Sequence, residues 1–114
     1  MIKRREDLTA IPRNIQGGNG EVMMIPFLTQ EEFRGKGRVF SKMILKPGVS
    51  IGNHLHEGDF EGYYILKGKG KIIDNGREAE VYEGDFALTD DGESHALIND
   101  TQEDLEIIAL LLYI

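Results

Sequence analysis

The sequence predicts an all-β domain of about ten short strands, arranged as a sandwich or a barrel. Three observations lead there. Apolar and polar residues alternate through short runs, with no convincing long helical period. The 14 glycines are spread along the chain, often beside Asn, Asp or Lys, as many tight turns require. Finally, Asn75-Gly76 stands between two strand-like runs, residues 71–74 and 77–82, the mark of a two-residue hairpin.

From the amino terminus, the segment around Pro12 reads as an irregular or edge piece, and the Gly17-Gly18-Asn19-Gly20 stretch separates it from the first full strand. That strand covers residues 21–28. Thr29 caps a short helix that Gly35 and Gly37 end quickly. Residues 38–45 alternate as a strand, Pro47-Gly48 turns the chain, and residues 50–56 form the next strand. Glu57-Gly58-Asp59 is a turn, and residues 61–66 return as a strand rich in aromatic and β-branched side chains. Gly68 and Gly70 flank a bend. After the hairpin, Glu83-Gly84-Asp85 turns into a strand at 86–88. A turn over 89–94 leads to a strand at 95–98, then a turn over 99–101 and a last buried strand at 105–113. The length of 114 residues suits one domain: residues 1–37 as an arm and strands packing on the barrel, and 38–114 as the barrel itself.

Composition narrows the function. The net charge of −7 argues against nucleic acid and anionic membranes, which both need a positive field. The local basic cluster Arg34, Lys36 and Arg38 follows Glu31 and Glu32 and reads as a solvated loop. With no cysteine, disulfide scaffolds, thiolate metal sites and cysteine nucleophiles are excluded. Residues 1–9 are charged and lack the apolar core of a signal peptide. The apolar run at 107–114 is shorter than the roughly 20 residues a bilayer requires. A cytoplasmic protein is the expectation.

The chain has 3 histidines, His54, His56 and His95. Residues two apart on a strand point to one side, so His54 and His56 face the same interior. Glu61 follows past the Gly58 turn, where a returning strand can present its carboxylate to the same imidazoles. His95 begins a comparable strand after a glycine turn. Imidazoles with a carboxylate suit Mn, Fe, Co, Ni or Zn. Taken alone, the His-x-His pair is weak evidence, because such pairs are more often packed or surface histidines.

Gly48, His54, His56, Glu61 and Gly68 resemble, residue for residue and at matching spacing, the first motif of the cupin superfamily. Gly84, Gly92, His95 and Asn99 resemble the second, with Asp90 standing where the family has a turn-forming proline. The resemblance implies a cupin jelly-roll (double-stranded β-helix) barrel. It also implies one divalent transition-metal ion per chain, held by His54, His56, Glu61 and His95. Within the family the likeness is to short one-barrel cupins labelled oxalate-decarboxylase-like, through residues 17–22 and 35–40. Oxalate decarboxylases of the family carry an arginine three residues before the first motif histidine. Ile51 stands there in this chain, so the resemblance does not extend to that substrate clamp.

Tyr63 shares strand parity with Glu61 and should point inward, as a core aromatic or as a contact to a ligand. Arg38, Phe40 and Lys42 share one face. Facing inward, the two cations would meet an anionic substrate; charged residues more often face outward. Met23, Met24 and Met43 read as core or pocket filler, and Asp85 and Asn99 as turn residues. The expected function is that of a metal-dependent enzyme (dioxygenase, decarboxylase or isomerase) acting on a small polar molecule such as an organic acid, a diketone or a sugar derivative. The alternative is a non-catalytic barrel that binds or senses a small ligand or metal. A metal-free sugar-phosphate isomerase is disfavoured because all four ligand positions are filled. A homodimer is expected from the arm and the apolar last strand.

Overall fold

The alternating pattern becomes two facing sheets. The computed structural model describes residues 1–114 as a 3-10 turn at Arg5–Asp7 followed by ten strands. These are β1 (Ile11–Arg13), β2 (Val22–Pro26), β3 (Gly37–Leu45), β4 (Ser50–Leu55), β5 (Asp59–Lys67), β6 (Lys69–Asp74), β7 (Arg77–Tyr82), β8 (Phe86–Thr89), β9 (Ser94–Ile98) and β10 (Leu105–Tyr113). A six-stranded sheet has the order β1-β2-β3-β10-β5-β8 and a four-stranded sheet the order β4-β9-β6-β7. Apart from the β6–β7 hairpin, successive strands from β3 onward switch sheets, the jelly-roll path. No helix is long and apolar enough to cross a membrane.

Strand parity sets the core. Met43 and Leu45 of β3, Tyr63 and Ile65 of β5, and Leu105, Ile107 and Ala109 of β10 face inward. They meet Ile51, Ile72, Val81 and Leu97 of the four-stranded sheet. β10 lies between β3 and β5, so both of its edges are hydrogen-bonded. Glu61 shares the inward parity of Tyr63 and Ile65, which places a carboxylate on the core face.

Several expectations shift by a turn or a residue. Thr29 and Glu32 do exchange the side-chain bonds of a capping box, but the backbone makes only a turn there, not a helix. The two glycines downstream and the positive φ of Arg34 stop propagation. β5 starts two residues earlier than expected, so Asp59 is a buried strand residue and not part of a turn. Gly70 lies inside β6, where a Cβ would sit 2.7 Å from Leu105 Cδ2. Asn99 is a turn residue as expected, and it is fully buried. Its amide donates to the Leu45 and Glu103 carbonyls, while its Oδ1 accepts from Thr101. Asp85 accepts from the Tyr82 N–H at 2.7 Å, closing the turn assigned to it.

Two local features position the site. The first is a bulge. Leu111 pairs with Val39 and Leu112 with Gly37, which leaves Arg38 without a partner on β10. The second is the arm. β4 has a strand neighbour on one side only, β9. Its free edge is covered by residues 15–19: Gly52 N–H donates to the Ile15 carbonyl at 3.1 Å and Ser50 N–H to the Asn19 carbonyl at 2.9 Å. An unpaired edge is thereby blocked. The approach is close enough that a Cβ on Gly52 would lie 2.0 Å from the Gln16 carbonyl oxygen, and one on Gly18 2.1 Å from that of Ser50. Gly52→Ala is therefore expected to cost about 2–3 kcal/mol of stability through backbone displacement, read as a lowered urea midpoint with an unchanged slope.

Candidate metal centre

Three strands bring the four side chains together. His54 lies on β4 directly opposite His95 on β9, and His56 follows just past the end of β4. Glu61 comes from β5 of the other sheet, where it pairs with Thr89. The backbone around His56 is fixed by its N–H donating to the Glu93 carbonyl at 2.9 Å and its carbonyl accepting from Gly92 at 2.7 Å. The loop that carries Asp90 in place of proline is held by the Asp90 N–H donating to Glu93 and the Asp91 N–H to Asp90, so the turn survives the substitution. His56, Glu61 and His95 are buried and His54 is half-buried.

The donor atoms converge. His95 Nε2 lies 3.0 Å from both His54 Nε2 and His56 Nε2. Glu61 Oε1 is 3.1 Å from His95 Nε2, 3.4 Å from His56 Nε2 and 4.0 Å from His54 Nε2. All four ligand atoms fall within 4.8 Å of one another. The far side of each ring is tethered: His54 Nδ1 at 2.7 Å to the Gly52 carbonyl, His56 Nδ1 at 2.7 Å to Asp59 Oδ1, and His95 Nδ1 at 2.7 Å to Thr89 Oγ1. A carbonyl and a carboxylate only accept, so the Nδ1 atoms of His54 and His56 carry their protons. In the neutral rings Nε2 then presents a lone pair to the centre. His95 Nε2 has at most one proton for two such neighbours and Glu61. Donors of one ion bound at about 2.1 Å lie roughly 3.0–3.4 Å apart, and four of the six donor pairs here keep that spacing, with His54 standing farther from Glu61, at 4.0 Å. The residues present fit a divalent cation.

The cupin-domain family profile matches residues 41–111. This chain belongs to the cupin family. It is 46% identical over 113 residues to an oxalate-binding protein of Thermotoga maritima, covering 98% of this chain and 93% of that protein. Among solved structures it is similar to a predicted oxalate decarboxylase from Thermotoga maritima, with 43% identity, a TM-score of 0.94 and full coverage of both chains. It also resembles the polyketide cyclase RemF of Streptomyces resistomycificus at 20% identity and a TM-score of 0.79, covering 99% of this chain and 80% of that one. That last likeness speaks only to the fold.

Around the centre this cupin adds a second layer of contacts. Asp59, which orients His56, also lies 3.5 Å from an Arg38 guanidinium nitrogen. Tyr63 stacks on His95 with ring centroids 4.6 Å apart. A cavity of about 550 Å³ opens onto His54, His56, Glu61 and Tyr63, walled by residues that include Met24, Val39, Met43 and Ile51. Burial pushes the Glu61 carboxyl up, but the three imidazoles hold it well below the usual carboxylate range. Glu61 raises the affinity of His56 for a proton, helped by Asp59 against the effect of burial. Burial lowers that of His95 despite the nearby Glu61. Burial, and then the Glu61 charge, push the Tyr63 phenol far up, so it stays protonated.

The four residues singled out in the sequence meet at one point, and Tyr63 points inward as its parity requires. The shared face proposed for Arg38, Phe40 and Lys42 is broken by the bulge. Arg38 lines the cavity, while Lys42 pairs with Glu106 at 2.9 Å. Arg34, Lys36 and Arg38 are all exposed, as a solvated basic cluster requires, and Arg38, at the start of β3, also borders the cavity. Met24 and Met43 line the cavity; Met23 does not. Sequence reasoning missed Asp59 and Thr89. Asp59 shares parity with Glu61 and Tyr63, a signal open to use once the strand is begun two residues earlier. Thr89 is revealed only by the β5–β8 register.

Ionised Glu61 is favoured in the fold, so its contribution is present above the ordinary value of 4.5 and is lost as pH falls. Chelator-treated protein is expected to lose stability on acidification below about pH 4.5. Glu61→Gln should flatten that part of the curve, which urea midpoints of both proteins across the acid range will show.

Proposed function

We propose that His54, His56, Glu61 and His95 hold one divalent transition-metal ion, and that the cavity over it binds a small di-acid of the oxalate class. The observation that carries this reading is the convergence of three tethered imidazoles and a carboxylate on one point at the floor of an open cavity. The nitrogen and oxygen donors suit Mn, Fe, Co, Ni or Zn. The oxalate-binding relative, at 46% identity, supports the ligand class.

Such an ion supplies Lewis acidity toward carboxylate oxygens. The chain's own residues do the rest. Gly52, Asp59 and Thr89 fix the ring orientations, a contribution to affinity commonly worth about 10–100-fold. Ile51, Met24 and Met43 line the cavity with apolar surface. Ile51 occupies the place of the family's substrate arginine, so the ligand is not held from there. Glu61 is the only acidic residue in the cavity lining, which favours holding a ligand over turnover that needs a separate general base. Protein purified without chelator should contain close to one metal equivalent, and His56→Ala should lose most of it by elemental analysis. The metal-loaded protein should bind oxalate calorimetrically without releasing carbon dioxide or consuming oxygen. Turnover of oxalate, or of a diketone or sugar derivative from a small panel, would make the protein an enzyme instead.

The outer face of β5, β8 and β10 supports a homodimer as part of this proposal. Tyr64, Leu66, Phe86, Leu88 and Leu110 are exposed there, and the outermost strand of the sheet is β8. An apolar patch beside an open sheet edge is a typical self-association surface. Light scattering should give twice the 12.8 kDa chain mass, with Leu88→Glu shifting the protein to a monomer. The location that goes with this proposal is the cytoplasm.

A further inference from the structure

We infer that residues 15–19 are a positioning element of the metal centre: docked against β4, they hold the backbone bulge that aims His54, so that docking of the arm and loading of the site reinforce each other. The inference rests on the proposed metal reading and adds to it a segment that carries no ligand.

The β4–β9 register shows why His54 needs such support. Ile51 pairs with Leu97 and His54 with His95, which leaves Gly52 and Asn53 facing the single residue Ala96. Two residues against one make a bulge, which re-aims the side chains beyond it. On a regular strand, residues 51 and 54 face opposite sides. Here Ile51 packs in the core and His54 joins the other three donors, and both line the cavity. The bulge is therefore what turns the His54 imidazole inward on a strand whose core residue is Ile51.

The bulge is held from the arm. The Gly52 N–H donates to the Ile15 carbonyl at 3.1 Å, and the Gly52 carbonyl accepts from His54 Nδ1 at 2.7 Å. One residue thus joins the arm to the ring. Beside it, the Asn19 carbonyl accepts from the Ser50 N–H, its N–H donates to Ser50 Oγ, and its side-chain amide donates to the Gly48 carbonyl. The Ile15 side chain packs against the core. Gln16 has a φ of +54°, a conformation unfavourable for a non-glycine residue that persists only where surrounding contacts hold it. Of the four ligand side chains, His54 is the most exposed and stands farthest from Glu61. It is the one whose direction depends most on its backbone anchor.

The test uses the full chain and Zn(II), with affinity read by chelator competition. A Cβ on Gly18 would lie 2.1 Å from the Ser50 carbonyl oxygen and 2.8 Å from the Gly52 nitrogen, so Gly18→Ala displaces the arm. It should weaken zinc binding by about tenfold or more. Asn19→Ala, which removes one side-chain bond, should weaken it less and in the same direction. In a His54→Ala background neither change should matter. By reciprocity, saturating zinc should slow hydrogen exchange at the Ser50 and Gly52 amides of the wild type, and slow it far less with His54→Ala. Ile72→Val, a core change on β6, should keep wild-type zinc affinity despite a lowered urea midpoint. If both arm variants bind zinc as tightly as wild type, the arm walls the cavity and does no more, and the inference is wrong. If they lose the same factor with His54→Ala, or if Ile72→Val loses as much, the effect is one of general stability and the inference is again wrong. If wild type takes up neither zinc nor manganese, the metal reading beneath it falls too.

Discussion

Three ring nitrogens and one carboxylate oxygen are packed within 4.8 Å of one another in the interior of a sheet sandwich, and the rest of the structure is arranged around that crowding. Each ring is anchored at its far nitrogen, to Gly52, Asp59 or Thr89, so none can swing away to relieve lone-pair repulsion. Burying the Glu61 carboxylate costs several kcal/mol unless opposite charge or donors meet it. The three imidazoles offset that cost in part, holding the carboxyl well below its usual range. On the proposed reading, an ion held there would add to the stability that ionised Glu61 already contributes, because ion binding and folding are linked.

The strands tolerate this because they are pinned elsewhere. β10 is bonded along both edges, β4 is covered by residues 15–19, and Asn99 ties the turn after β9 to the end of β3 with its buried amide. These features act on backbone position, which is what a ligand set built from β4, β5 and β9 requires. A slip of one residue in any of the three would turn a donor to the opposite face.

Much of this is legible in the sequence. Alternation and turn residues locate the strands, and the resemblance to the two cupin motifs singles out His54, His56, Glu61 and His95. Parity cannot show the place where parity fails. A bulge inserts one residue and reverses the facing of the residues beyond it, and nothing in the run Gly37-Arg38-Val39 marks it. Arg38 and Lys42 therefore look equivalent in the sequence and are not. The same limit hides Thr89, whose role depends on which residue lies across from it in a neighbouring strand. Asp59 is lost to a boundary error, since a turn reading of Glu57-Gly58-Asp59 ends one residue too late. Thr29 carries a genuine capping signal, but its local preference is overruled by the glycines downstream.

The cavity draws its two halves from different stretches of chain. The floor comes from β4 and β5, with β9 behind it, whereas the opposite wall comes from β1, β2, β3 and the arm. The four converging side chains and the wall that faces them are thus encoded separately. Substitutions along the first forty residues, apart from 15–19, can reshape the cavity wall while the four converging side chains stay in place, which makes the amino-terminal third the natural place to retune what the cavity admits.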